Sequence, residues 1–169
     1  MAAADFPAID SPTTNLPFDD FMHVVRCTPL VSIDLIIGNG QGQYLLGLRN
    51  NEPAAGFWFV PGGRVLKDET LDQAFKRLTL DELGVSICRH QAQPYGVWEH
   101  QYPTNAGRQP GFGTHYVVLA YCLTLPEIPT GLPRLQHARY QWLSPEQICP
   151  DLAIHANTRA YFQISLPHQ

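Results

Sequence analysis

Four ionisable residues in one short stretch carry the clearest chemical signal in this chain. Glu69 is followed by Arg77, Asp81 and Glu82, in a run that begins at Gly63 and closes on Gly84 and Val85. At about 100° per residue, positions 78, 81, 82 and 85 crowd one side of a helix, so Asp81 and Glu82 are expected to face whatever docks on the Gly62–Gly63 loop. Hard oxygen donors of this kind suit Mg²⁺ or Mn²⁺, which reach a protein through one or two carboxylates and the phosphates of a substrate. Asp34 is a second chemical residue, alone in the apolar run LVSIDLIIG. Burying a carboxylate unpaired is costly, so Asp34 has either a structural hydrogen-bond partner or a ligand to meet.

The elements that must position these groups are legible around them. Thr70, with Gln73 three residues on, forms a capping box, and Gly84 supplies a left-handed stop, which predicts a helix over 70–83. LVSIDLIIG, the glycine-rich GNGQGQ and then YLLGLR predict a hairpin. FWFVPGG reads as a short aromatic strand ending in a Pro-Gly-Gly turn. Further strands are expected at 93–101, 115–126 and 138–143, with helices over PFDDFMHVVRC, from SPEQI, and at 157–162. Interspersed strands and helices predict an α/β (α+β) fold, a mixed sheet between helices. Trp58, Trp98 and Trp142 lie in strand patterns with apolar neighbours and are read as core. Residues 1–17 are expected to form a flexible tail and 18–169 a single domain.

At 169 residues the chain is long enough to bury about 70% of its unfolded surface without disulfides or a structural metal. Its 13 Gly and 15 Pro, with charged residues at only 15%, point to short elements and many loops. Eleven Lys and Arg against 15 Asp and Glu give a net charge of −4, without the basic excess that a nucleic-acid surface needs. The apolar stretch 116–125 is far shorter than the roughly 20 residues of a membrane helix, and the N-terminus has no basic region of a secretory signal. A cytoplasmic protein is expected, in which Cys27, Cys88, Cys122 and Cys149, lacking any CxxC pair, are reduced thiols rather than zinc ligands. The Gly- and Pro-bearing PTNAGRQPGF loop is expected to form a mobile rim of the site.

GRVLKDETLDQAFKRLTLDELGV resembles the Nudix box, GX5EX7REUXEEXGU with U a bulky aliphatic residue. Gly63, Glu69, Arg77, Glu82, Gly84 and Val85 match; Asp81 and Leu78 stand where the pattern has glutamate, and Thr79 where it has an aliphatic residue. The family hydrolyses nucleoside diphosphates linked to another moiety. Leu78 removes a metal or base carboxylate from the box, which argues against multi-metal attack on phosphorus. One branch shares this departure, the one that cuts GDP-mannose at the sugar C1–oxygen bond. The chain resembles that branch from about 21 to 162, through VVRCTPLVSIDLII, FWFVPGGRV, KDETL, GVWEH, THYVVLAY, LQH and HANTRAYF.

The resemblance implies that the Gly62 carbonyl, Glu82 and Gln136 hold one Mg²⁺ (or Mn²⁺) against the diphosphate. Arg49, Arg64 and Arg77 would contact the diphosphate, Arg77 serving alternatively to orient Glu69 or Asp81 through an ion pair. His137, placed in a loop before a strand, would be the general base, its unperturbed pKa near 6.5 suiting proton transfer at neutral pH. Arg49, Arg64, Asp34, His100 and Tyr116 would complete the catalytic set on the sugar and leaving-group sides. A GDP-sugar substrate, GDP-mannose or GDP-glucose, and a homodimer are implied as well. The competing readings are a Nudix pyrophosphatase acting on a nucleoside diphosphate sugar and a non-catalytic nucleotide-sugar-binding module.

Overall fold

The computed structural model describes residues 16–125, 132–133 and 137–163. The chain runs α1 (Phe18–Cys27), β1 (Leu30–Gly38), β2 (Tyr44–Arg49), β3 (Trp58–Phe59), β4 (Gly62–Arg64), α2 (Leu71–Leu83), a 3₁₀ turn at Arg89–Gln91, β5 (Gln93–Tyr102), β6 (Thr114–Thr124), β7 (His137–Leu143), α3 (Pro145–Ile148) and α4 (Ala156–Gln163). Of the expected tail, residues 1–15 lie outside the described residues.

Among the described residues seven strands form one mixed sheet, in the order β3-β2-β1-β6-β5, with β4 also pairing β1 and β7 pairing β2. β1 and β6 run parallel, from Leu30 opposite Tyr116 to Gly38 opposite Thr124, and the remaining pairs are antiparallel. The expected hairpin forms, but β1 and β2 are in register only at Gly38 and Tyr44, because β4 takes the same edge of β1 from Ser32 to Asp34. Of the Pro-Gly-Gly turn, Pro61 keeps a bend after β3, whereas Gly62 and Gly63 are already strand, in β4. Glycine is required there: a Cβ on Gly62 would lie 2.4 Å from the Ile33 carbonyl oxygen.

Side chains alternate across a strand, and here the alternation sorts the molecule into two layers. Ile33, Leu35 and Ile37 of β1, with Tyr121 and Leu123 of β6, pack against Ala74, Phe75, Leu78 and Leu83 of α2. Ile36 and the β6 residues Ala120 and Cys122 face the other way, onto Ile148, Ile154, Tyr161 and Phe162 of the C-terminal segment. The same parity turns Asp34 toward α4. Helix α2 has the expected capping box at Thr70 and Gln73 and the left-handed Gly84. The segment leading into α4 is tied to β3 by bonds from Trp58 N to the Ala153 carbonyl and from His155 N to the Trp58 carbonyl. Trp58, Trp98 and Trp142 all pack against core clusters as expected.

The PTNAGRQPGF loop is knitted together by buried Asn105. Its amide donates to the Gln109 and Phe112 carbonyls, and its oxygen accepts from the Gly107 and Gln109 backbone amides. The loop lines no part of the main cavity, contrary to its expected place at the rim.

Candidate active site

A cavity of about 460 Å³ opens where β4 leaves β1, and Asp34, Arg49, Gly62, Arg64, Arg77, Asp81, His100, Tyr116 and His137 all line it. Residues up to 103 positions apart in sequence, Asp34 and His137, thus converge, and of the expected site residues among the described ones only Glu82 is missing from the lining. Gln136 lies outside the described residues.

Helix α2 and β4 form one wall. Arg77 is the clamp: its Nε and Nη2 donate to the two Glu69 carboxylate oxygens at 2.7 and 2.8 Å, its Nη2 also to the Arg64 carbonyl at 2.9 Å, and its Nη1 to Asp81 at 3.4 Å. Burial alone would raise the Glu69 carboxyl, but the hydrogen bonds from Arg77 and from the Leu66 amide hold it below the usual carboxylate range. Arg77 is raised in turn by its hydrogen bond to Glu69. Its guanidinium is committed within the protein, the geometry of an orienting ion pair. Leu78 is in the core and also forms cavity wall; a Cβ on Gly63 would lie 2.7 Å from its Cδ2, so β4 rests directly on this side chain.

The two helix carboxylates part company. Asp81 is exposed and faces the cavity, whereas Glu82 is 1% exposed and sits behind it, its Oε2 3.0 Å from Nε2 of His137. Apart from that contact, neither Glu82 oxygen meets a donor among the described residues, and His137 Nδ1 also lacks a partner there. His137 is the first residue of β7, not a loop residue, and is 5% exposed. Its ring lies so close over Gly47 that a Cβ there would be 2.4 Å away. A buried carboxylate so short of donors beside a cavity fits a hard divalent cation, because such a group is otherwise expensive to bury. Among the described residues no group of three or more His, Cys, Asp or Glu is arranged to hold a metal ion by itself.

The opposite wall is built on the α4 face of the sheet. Desolvation raises the Asp34 carboxyl to about 6, opposed by the Tyr161 hydrogen bond and by the charge of Arg49. His100 is pushed down to about 4, by burial and then by His155, and is neutral at pH 7. Tyr116 and Tyr102 are both raised by burial, Tyr102 to about 12. Arg49 follows a register irregularity in the β2–β7 ladder that begins at Gly47, and its guanidinium lies over Phe59 with its Nε bonded to the Asn51 carbonyl. Arg64 lies 3.9 Å over the Phe21 ring of α1, an arrangement that holds a cation in place while leaving its N–H edge available. Burial lowers its pKa from the ordinary arginine value. Phe59, Tyr102 and Ser32 also line the cavity, and Tyr161 lies beneath it; sequence reasoning named none of these as site residues. Tyr161 falls within the helix expected at 157–162, and nothing in that pattern points to Asp34.

A sheet between helices, with a glycine strand resting on a carboxylate-bearing helix beside an arginine-lined cavity, brings together groups whose chemistry suits phosphates and a cation. A family model described as the NUDIX domain matches residues 28–163, and the chain belongs to the Nudix family of hydrolases. Members of that family generally use a divalent metal such as Mg²⁺. The low-salt glycan biosynthesis protein Agl8 of Haloferax volcanii is 44% identical over 119 residues, covering 70% of this chain and 73% of that protein. Among solved structures, the MutT protein from Methanosarcina mazei Go1 is 22% identical with a TM-score of 0.61, over 81% of this chain and 93% of that one. The MutT NUDIX hydrolase from Burkholderia pseudomallei is 26% identical with a TM-score of 0.61, over 80% of this chain and 97% of that one. No helix among the described residues is long and apolar enough to cross a membrane.

Proposed function

We propose that the protein hydrolyses a GDP-sugar, GDP-mannose or GDP-glucose, to GDP and the free sugar, by attack of water at the anomeric carbon with inversion. The observation that carries this reading is Leu78: where the box has a carboxylate, this chain places a buried apolar side chain pressed against the glycine strand. The α2 wall then lacks one of the carboxylates that multi-metal attack on phosphorus uses. The kinship with a protein named for glycan biosynthesis supports a sugar-linked substrate.

In this reading Arg49 and Arg64 hold the diphosphate, for which forked guanidinium donors are suited. His137 takes a proton from water, and Glu82, 3.0 Å away, stabilises the imidazolium that forms. Asp34, His100 and Tyr116 line the far wall, where they meet the sugar and the departing oxygen. The Gly62 carbonyl, Glu82 and Gln136 would hold Mg²⁺ or Mn²⁺, whose chemistry is to neutralise the diphosphate leaving group. A neutralised diphosphate leaves without protonation, so one base suffices. A homodimer in the cytoplasm accompanies this reading.

The experiment is chromatography of the products formed from GDP-mannose and Mg²⁺. GDP with free mannose is expected. GMP with mannose 1-phosphate would assign a pyrophosphatase, and ligand binding without turnover a binding module.

A further inference from the structure

His100, Asp34 and Tyr161 come from β5, β1 and α4, and their polar ends meet under the cavity. Tyr161 is completely buried; its hydroxyl lies 2.8 Å from Asp34 Oδ2 and 3.3 Å from His100 Nε2. A phenol has one proton to donate, and a carboxylate can only accept, so that proton belongs to the bond with Asp34. The second contact then requires an N–H from the imidazole. We infer that Tyr161 is a positioning residue, which holds the Asp34 carboxylate and fixes His100 as its Nε2–H tautomer, leaving Nδ1 as the ring's acceptor. The reverse polarity, with Tyr161 donating to His100, would set a phenol lone pair against an Asp34 oxygen at 2.8 Å.

Tyr161 is built to hold that position. Trp98 packs edge-on against its ring at 4.7 Å and 78°, and the Tyr95 hydroxyl donates to its backbone carbonyl at 2.8 Å, which fixes this turn of α4 to β5. Asp34 and His100 line the cavity and Tyr161 does not. A substitution at 161 therefore disturbs the two wall residues without removing a substrate contact. The tautomer follows from the geometry with Asp34 as the carboxylate; only its kinetic consequence rests on the proposed GDP-sugar reaction.

The test uses protein with ¹⁵N-labelled histidine, in which imidazole nitrogen shifts distinguish the tautomers, together with Tyr161→Phe, which keeps the ring and deletes the hydroxyl. Wild type is expected to show His100 as Nε2–H, and the variant to move the His100 signals while those of exposed His90 stay fixed. Loss of a hydrogen bond to a charged group predicts kcat lower by roughly tenfold to a hundredfold, with GDP affinity held within about threefold. An Nδ1–H tautomer in the wild type overturns the inference whether or not the variant folds. Unchanged kcat in a folded variant, or an equal loss of kcat and GDP affinity with a lower Tm, overturns the positioning role. A wild type that does not hydrolyse GDP-mannose counts against the proposed function, and the tautomer is still decided by the spectrum.

Discussion

Gly47→Ala probes whether His137 works where the sheet holds it. The added Cβ would lie 2.4 Å from His137 Cγ and Nδ1 and 2.8 Å from Cε1, while ordinary contact begins at 3.4 Å. The ring must retreat by about 1 Å, and it starts from a 3.0 Å contact with Glu82. Misplacing a reacting group by about 1 Å costs on the order of 100-fold in rate, and crowding a packed site costs roughly 1–3 kcal/mol of stability. Steady-state kinetics on GDP-mannose, GDP affinity by calorimetry and a thermal melt separate these effects. kcat is expected to fall about 100-fold, with GDP affinity nearly unchanged and the melt lowered by several degrees. The double variant with His137→Gln should be little worse than His137→Gln alone, since both act on one group. Gly47→Ala that folds and retains kcat within about threefold of wild type would refute the assignment of His137 as base, because so large a ring displacement would then be harmless.

Asp34 makes stability fall as pH rises. Its carboxyl is raised from 3.8 to about 6 when folded, so the native state binds this proton more tightly than the unfolded chain. The stability it contributes is full below the unfolded value and is lost as pH rises through about 6, leaving the ionised group costing roughly 3 kcal/mol at pH 7. Asp34→Asn should therefore gain in Tm relative to wild type at pH 7 compared with pH 4; an equal difference at both would contradict the shift. Arg77→Lys breaks the forked bonds to Glu69 and to the Arg64 carbonyl, and should cost roughly 1–3 kcal/mol in a denaturant melt while moving GDP affinity less than about threefold. A tenfold weaker GDP affinity with an unchanged melt would instead place Arg77 on the diphosphate.

The elements that show a strong period or a bounded end were readable in the sequence: α2 between Thr70 and Gly84, and β1 as a β-branched run. The two carboxylates were not resolved by periodicity, because Asp81 and Glu82 are adjacent and small differences in helix facing decide which one is buried against His137. Pro61 bends the chain as its type suggests, but the two glycines after it, which usually continue a turn, are drawn into β4 by a pairing with Ser32–Asp34 that leaves no room for a Cβ at Gly62. Tyr161 was invisible for another reason. Its bond to Asp34 spans 127 positions and depends on the parity of β1 and on the docking of α4 to β3, neither of which any local pattern encodes.

The central claim is that water attacks carbon and not phosphorus, and hydrolysis of GDP-mannose with Mg²⁺ in ¹⁸O-labelled water tests it most directly. Mass spectrometry should find the label in free mannose and none in GDP. Label in GDP, GMP or mannose 1-phosphate would mean attack at phosphorus, and would contradict the inference that Leu78, by replacing a carboxylate, turns the site away from phosphorus.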